Sequence, residues 1–141
     1  MLIIDATNLI LGRLASFAAK KALEGEEIVI VNSEKAVISG KKDSILEFYK
    51  QRRARGNPLK GPYYPRMPDR ILRRAIRGML PWHKSRGREA FKRVMCYIGT
   101  PEKYKNQEFI SIKEANYSKL KKTGFITLGK LAEMLGAKVR W

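Results

Sequence analysis

The chain has 141 residues, 44% of them hydrophobic, the size of one domain that can bury a core without disulfides or metal. Its 30 Lys and Arg face 13 Asp and Glu, a net charge of +17, and a compact body so charged repels itself until a polyanion neutralises it. One cysteine (Cys96) and one histidine (His83) exclude an internal disulfide and a Cys/His zinc site, and no apolar run nears the roughly 20 residues of a membrane span, so a soluble, cytoplasmic protein is expected.

Met1-Leu2-Ile3-Ile4-Asp5 lacks the basic start and cleavage site of a signal peptide, and its apolar run reads as a buried strand. Leu11, Leu14, Ala15, Ala18 and Ala22 then recur at spacings of three and four, which predicts an amphipathic helix closed by Gly25. Ile28-Val29-Ile30-Val31 shows no alternation, as in a strand covered on both faces. Strand, helix and strand in that order make a βαβ unit and imply a parallel sheet. Val37-Ile38 is a short strand or turn, followed by a helix from about Lys41 to Arg55 with Ile45, Leu46, Phe48 and Tyr49 inward.

Residues 56–68 hold four prolines and two glycines, which predicts an extended, partly polyproline-like arm. A loop of that length without regular structure is usually functional. Pro68-Asp69 opens a helix whose Ile71, Leu72, Ala75, Ile76, Met79 and Leu80 form one apolar stripe. Arg70, Arg73, Arg74 and Arg77 occupy its other side, and Pro81 ends it. Ser85 is placed to cap a short helix through Val94, and Met95–Ile98 reads as a further strand. The tail is mixed, with a helix across Leu128–Leu135 stopped by Gly136. Residues 1–141 are expected to form a single domain.

The charge is concentrated. Residues 50–93 hold fifteen basic groups against only Asp69 and Glu89, while the rest of the chain is nearly balanced. Most of the fifteen are Arg, whereas Lys predominates elsewhere. Arg presents a planar fork that binds phosphate bidentately and stacks on bases, so this composition points to nucleic acid rather than to solubility alone. The expected RNA-binding set is Arg52, Arg53, Arg55, Lys60, Tyr63, Arg66, Arg70, Arg73, Arg74, Arg77, His83, Lys84, Arg86, Arg88, Lys92 and Arg93, joined by Arg13, Lys41 and Lys42. Tyr63, Tyr64 and Trp82 lie inside the region, either packing the arm on the body or stacking on unpaired bases.

Enzymatic chemistry finds little support. The turn after the first strand, Asp5 to Arg13, has one glycine and matches neither a dinucleotide nor a P-loop pattern. Gly12 reads instead as close packing at a helix start, and Asp5 as a partner of Thr7 or Asn8. His83 has only Ser85 nearby and no acidic partner, so contact with RNA suits it better than general-base work. Cys96 reads as a buried strand residue. No catalytic residues, cofactor, metal or small-molecule substrate are therefore expected. A free-standing nucleic-acid-binding regulator and a nucleotide-binding α/β enzyme are the alternatives.

Arg77-Gly78-Met79-Leu80-Pro81, then Arg86-Gly87-Arg88 and Ala90-Phe91-Lys92-Arg93, resemble the signature of universal large-subunit ribosomal protein thirteen. Asp5-Ala6-Thr7, Leu11-Gly12-Arg13-Leu14-Ala15, Val31-Asn32 and Lys35-Ala36 are similar to that family's N-terminal part. The arm, with Gly61-Pro62-Tyr63, resembles the archaeal and eukaryotic branch, and the absence of a longer C-terminal extension favours the archaeal type. The resemblance is weakest from residue 101 onward. It implies a three-layer α/β/α body with a small, mostly parallel sheet. It also implies binding to large-subunit rRNA during assembly, neighbouring ribosomal proteins as partners, and no enzymatic activity.

Overall fold

The computed structural model describes residues 1–119, 124–138 and 141. In chain order the elements are β1 (Leu2–Asp5), α1 (Leu11–Leu23), β2 (Ile28–Val31), β3 (Val37–Ser39), α2 (Lys42–Ala54), α3 (Pro68–Gly78), α4 (Ser85–Lys92), β4 (Val94–Cys96), β5 (Phe125–Thr127) and α5 (Leu128–Met134). β1, β2 and β4 form a parallel sheet in that order, with Ile3 opposite Val29 and Val29 opposite Met95. The expected βαβ unit is thus present, and its central strand β2 is buried at all four positions. β3 pairs antiparallel with β5, which ties the C-terminal segment to the body. Beyond β1, Ile110 extends the parallel sheet, donating to Ile3 O at 2.8 Å while Asp5 N–H donates to Ile110 O at 3.2 Å.

The strand pleat sends alternate residues to opposite faces. Ile4, Ile28, Ile30, Val94 and Cys96 face the main core with Leu14, Ala18, Ile71, Leu72, Ile76 and Ala90. The alanines of α1 let it pack closely on α3 and α4. Ile3, Val29 and Val31 face the other way and are covered by Tyr104, on a single 3₁₀ turn at Glu102–Tyr104, with Tyr97. The α/β architecture with a small, mostly parallel sheet is therefore as expected, but among the described residues the third layer is thin, one 3₁₀ turn and two tyrosines.

Four local expectations are corrected. α3 stops at Gly78, so Met79 is exposed rather than core-facing, and its sulfur takes a hydrogen bond from Ser16 Oγ at 3.7 Å. Phe48 is half-exposed because Ile45 and Tyr49, four apart, define the inner side of α2. Among the described residues nothing lies within 4 Å of where a Cβ on Gly12 would stand, so it does not act as a close-packing glycine. Ser85 is the first residue of α4 rather than its cap; the capping position is Lys84, which makes no side-chain capping hydrogen bond. Among the described residues, no helix is long and apolar enough to cross a membrane.

Candidate nucleic-acid interface

α3 organises the basic region. Its apolar side, Ile71, Leu72 and Ile76, is buried, which fixes the opposite side at the surface. Pro68 and Asp69 suit its first turn, where proline loses no helical bond and a carboxylate complements the helix dipole. The arm leaves α2 at Arg55 and turns back at once. Asn57 and Gly61 exchange backbone hydrogen bonds of 3.0 and 2.8 Å, and Asn57 Oδ1 accepts from Leu59 N–H at 2.9 Å. After this turn the arm runs without helix or strand to Met67, as expected. Tyr64 returns to the body, 5.9 Å from the Tyr49 ring, with the Arg52 and Arg74 guanidiniums 5.5 and 5.9 Å from its centroid. Tyr63 points outward, and its hydroxyl donates to Pro58 O at 2.6 Å.

The arginines divide by where their donors go. Some are bound to backbone carbonyls of distant segments. Arg93 donates to Ala22 O at 2.9 Å, in the last turn of α1, and Arg53 to Leu135 O at 3.1 Å, at the end of α5. Arg73 donates through Nε to Val94 O at 3.0 Å and through a terminal nitrogen to Phe91 O at 3.4 Å, where α4 ends. Helix C-termini leave carbonyls unpaired and carry partial negative charge, so a guanidinium there satisfies both needs. Arg13 and Arg88 also donate to carbonyls, Glu114 O and the nearby Trp82 O in the turn before α4. The reading of a uniformly outward arginine face on α3 is thus corrected at Arg73.

Other arginines stack. Arg52 lies 4.5 Å from the Phe48 centroid, and Arg77 lies 4.3 Å from that of Trp82. A guanidinium on a ring keeps its edge donors directed outward. The remaining expected residues, Lys41, Lys42, Arg55, Lys60, Arg66, Arg70, His83, Lys84, Arg86 and Lys92, are exposed. Among the described residues the ion pairs are Lys21–Glu24 and Lys130–Glu133, neither in the basic region.

Three clefts gather these groups. Arg53, Arg66, Asp69 and Arg70 line one of about 470 Å³ together with Lys138. Tyr63, Arg70, Arg73, Arg74 and Arg77 line a second with Trp82 and Phe91. Arg74, Arg77 and His83 share a third with Trp82. The other expected residues lie outside these clefts, and Arg13 borders a separate hollow beside Phe17 and Lys20. Lys138 escaped the sequence reading: it joins the site from far along the chain, and no local pattern announces that.

The groups with chemical potential are occupied. Burial pushes the Asp5 carboxyl up, but hydrogen bonds from Thr7 N–H, Thr7 Oγ1 and Asn32 Nδ2, with Lys35 nearby, hold it below its ordinary value. It ties β1 to β2. Burial pushes the Cys96 thiol up to about 12, so it stays protonated and inert near neutrality. Among the described residues no three His, Cys, Asp or Glu side chains cluster as a metal site would need.

Fold and surface define the class: a small α/β protein with one arginine-rich, aromatic-lined face suited to a polyanion. A family model described as Ribosomal protein L13 matches residues 1–103. Proteins named large ribosomal subunit protein uL13 align along nearly the whole chain. That of Methanopyrus kandleri is 54% identical over 136 residues, covering 95% of this chain and 86% of the relative. That of Methanocaldococcus jannaschii is 52% identical over 142 residues, covering 98% and 99%. That of Archaeoglobus fulgidus is 49% identical over 135 residues, covering 95% and 86%. The chain belongs to the Ribosomal protein L13 family.

Proposed function

We infer that this protein is a structural constituent of the large ribosomal subunit in the cytoplasm, where it binds large-subunit rRNA and supports assembly without enzymatic activity. Residues 1–141 act as one unit in this reading, with neighbouring large-subunit proteins as further partners. The observation that carries it is a dense set of cations between 50 and 93 with no carboxylate partner among the described residues, in a member of this family. Such charge is costly in the free protein and favourable against phosphates.

The roles then separate. Arg55, Lys60, Arg66, Arg70, Lys84, Arg86 and Lys92, with Lys41 and Lys42, meet the phosphate backbone. Arg52, Arg74 and Arg77 offer edge donors from stacked positions, and His83 adds a polar contact beside them. Arg13, Arg53, Arg73, Arg88 and Arg93 hold the surface in shape and lend it positive potential.

Co-sedimentation with purified large subunits tests the reading. The protein should stay with the subunit at low salt and be released, at least in part, at high salt. A protein that sediments free at both salts while still binding unrelated RNA or DNA would be a regulator, and the ribosomal reading would fall.

A further inference from the structure

The second cleft, of about 430 Å³, combines two chemistries that a phosphate-binding groove has no need to combine. Tyr63 keeps 66% of its surface exposed although its hydroxyl is already bonded to Pro58 O, so what it offers is ring. Trp82 is 37% exposed and held in place, its ring in a T-shaped pair with Phe91 at 5.2 Å and the Arg77 guanidinium 4.3 Å from its centroid. Arg74 and Arg77 donate to no protein acceptor among the described residues, although both line the cleft. Rings alone would suit an apolar side chain, and guanidiniums alone a phosphate. A planar ligand with π-faces and acceptors around its edge uses both, and that describes a nucleobase.

We propose that this cleft holds one unstacked nucleobase of RNA, its face on Tyr63 and Trp82 and its acceptor edge toward Arg74 and Arg77. The proposal rests on the RNA-binding reading above and adds to it a base-binding pocket distinct from the phosphate-binding surface.

The test uses the full chain and two single-stranded probes of equal charge, an oligoadenylate of about ten nucleotides and an abasic phosphodiester of the same length. Anisotropy gives the affinities, and Trp82 fluorescence, in a Trp141→Phe background, reports stacking. The oligoadenylate should bind roughly ten-fold tighter, as expected for one base–aromatic stack, and should quench Trp82. Tyr63→Ala, at an exposed position that leaves the core intact, should remove most of that advantage. Equal affinities with no selective quenching would overturn the pocket while leaving the RNA reading in place. An advantage unchanged by Tyr63→Ala would also overturn the pocket as placed. If neither probe bound at low salt, the RNA reading would fail and the pocket with it.

Discussion

An arginine carries five donors on a planar fork, and where they end decides whether the residue serves the fold or a ligand. Arg73 and Arg77 are one helical turn apart on α3, yet their environments differ. Arg73 lies 4.0 Å from the Phe91 centroid and bonds two carbonyls, whereas Arg77 leans on Trp82 and bonds none among the described residues. Arg73→Gln should therefore lower unfolding stability by about 1–3 kcal/mol, since hydrogen bonds to a charged group are the stronger kind. Arg77→Gln should leave the melting temperature level while weakening RNA binding. Thermal melts and filter binding on both variants check this, and equal behaviour would show that the carbonyl bonds do not matter. This division could not be read in the sequence. Composition locates the cationic region and periodicity assigns both residues to one helix side. The carbonyls that bind Arg73 belong to residues 91 and 94, and only the fold brings them there.

At the scale of elements, stretches with a strong period were legible. The apolar run of β2, the alanine stripe of α1 and the Ile71, Leu72, Ile76 side of α3 match the buried positions, because a continuous core imposes that pattern. β5 went unread. It is three residues long, Phe125–Thr127, and exists through its pairing with β3. The turn between α3 and α4 was legible as a break at Pro81, but its tightness was not. Pro81 folds over Gly87, and a Cβ there would run into the Pro81 carbonyl. That packing helps set Trp82 beside Arg77, so Gly87→Ala should cost about 1–3 kcal/mol through overpacking. It should also alter Trp82 fluorescence, and a variant with native stability and spectrum would show the turn to be adaptable. The arm gives a second test. Residues 51–60 are exposed and the Asn57–Gly61 turn is bonded mainly to itself, whereas Tyr64 is seated on the body. Trypsin should cut the free protein first at Arg55 and Lys60, with Arg66 slower because Tyr64 holds that end, and bound rRNA should protect all three. Equal resistance of the three sites without RNA would mean that the whole arm is packed.

For the molecule as a whole, the unequal charge distribution matters most. The body outside residues 50–93 is nearly balanced, so it folds as an ordinary α/β core, while the cationic segment is spread over α2, the arm, α3 and α4, with part of it gathered in three adjoining clefts. Of the fifteen cations there, Arg53, Arg73, Arg88 and Arg93 are bonded to carbonyls, leaving eleven for solvent or ligand. Not every one can reach a phosphate at once, and about eight is a reasonable number for one face. Each phosphate neutralised releases condensed counterions, so log K should fall with log[salt] at a slope of roughly −6 to −7, between the single-strand and duplex values. The partition of roles sharpens the expectation. Replacing Arg55, Lys60 and Arg66 together by Gln should make the slope shallower by about two to three, with little change in stability. Replacing Arg93 by Gln should leave the slope nearly unchanged and lower stability, because its carbonyl partner lies at the end of α1. Filter-binding titrations over a range of salt, paired with melts, measure both quantities. A wild-type slope near zero, or one that responded to Arg93 and ignored the arm, would rule out an electrostatic interface built from these residues.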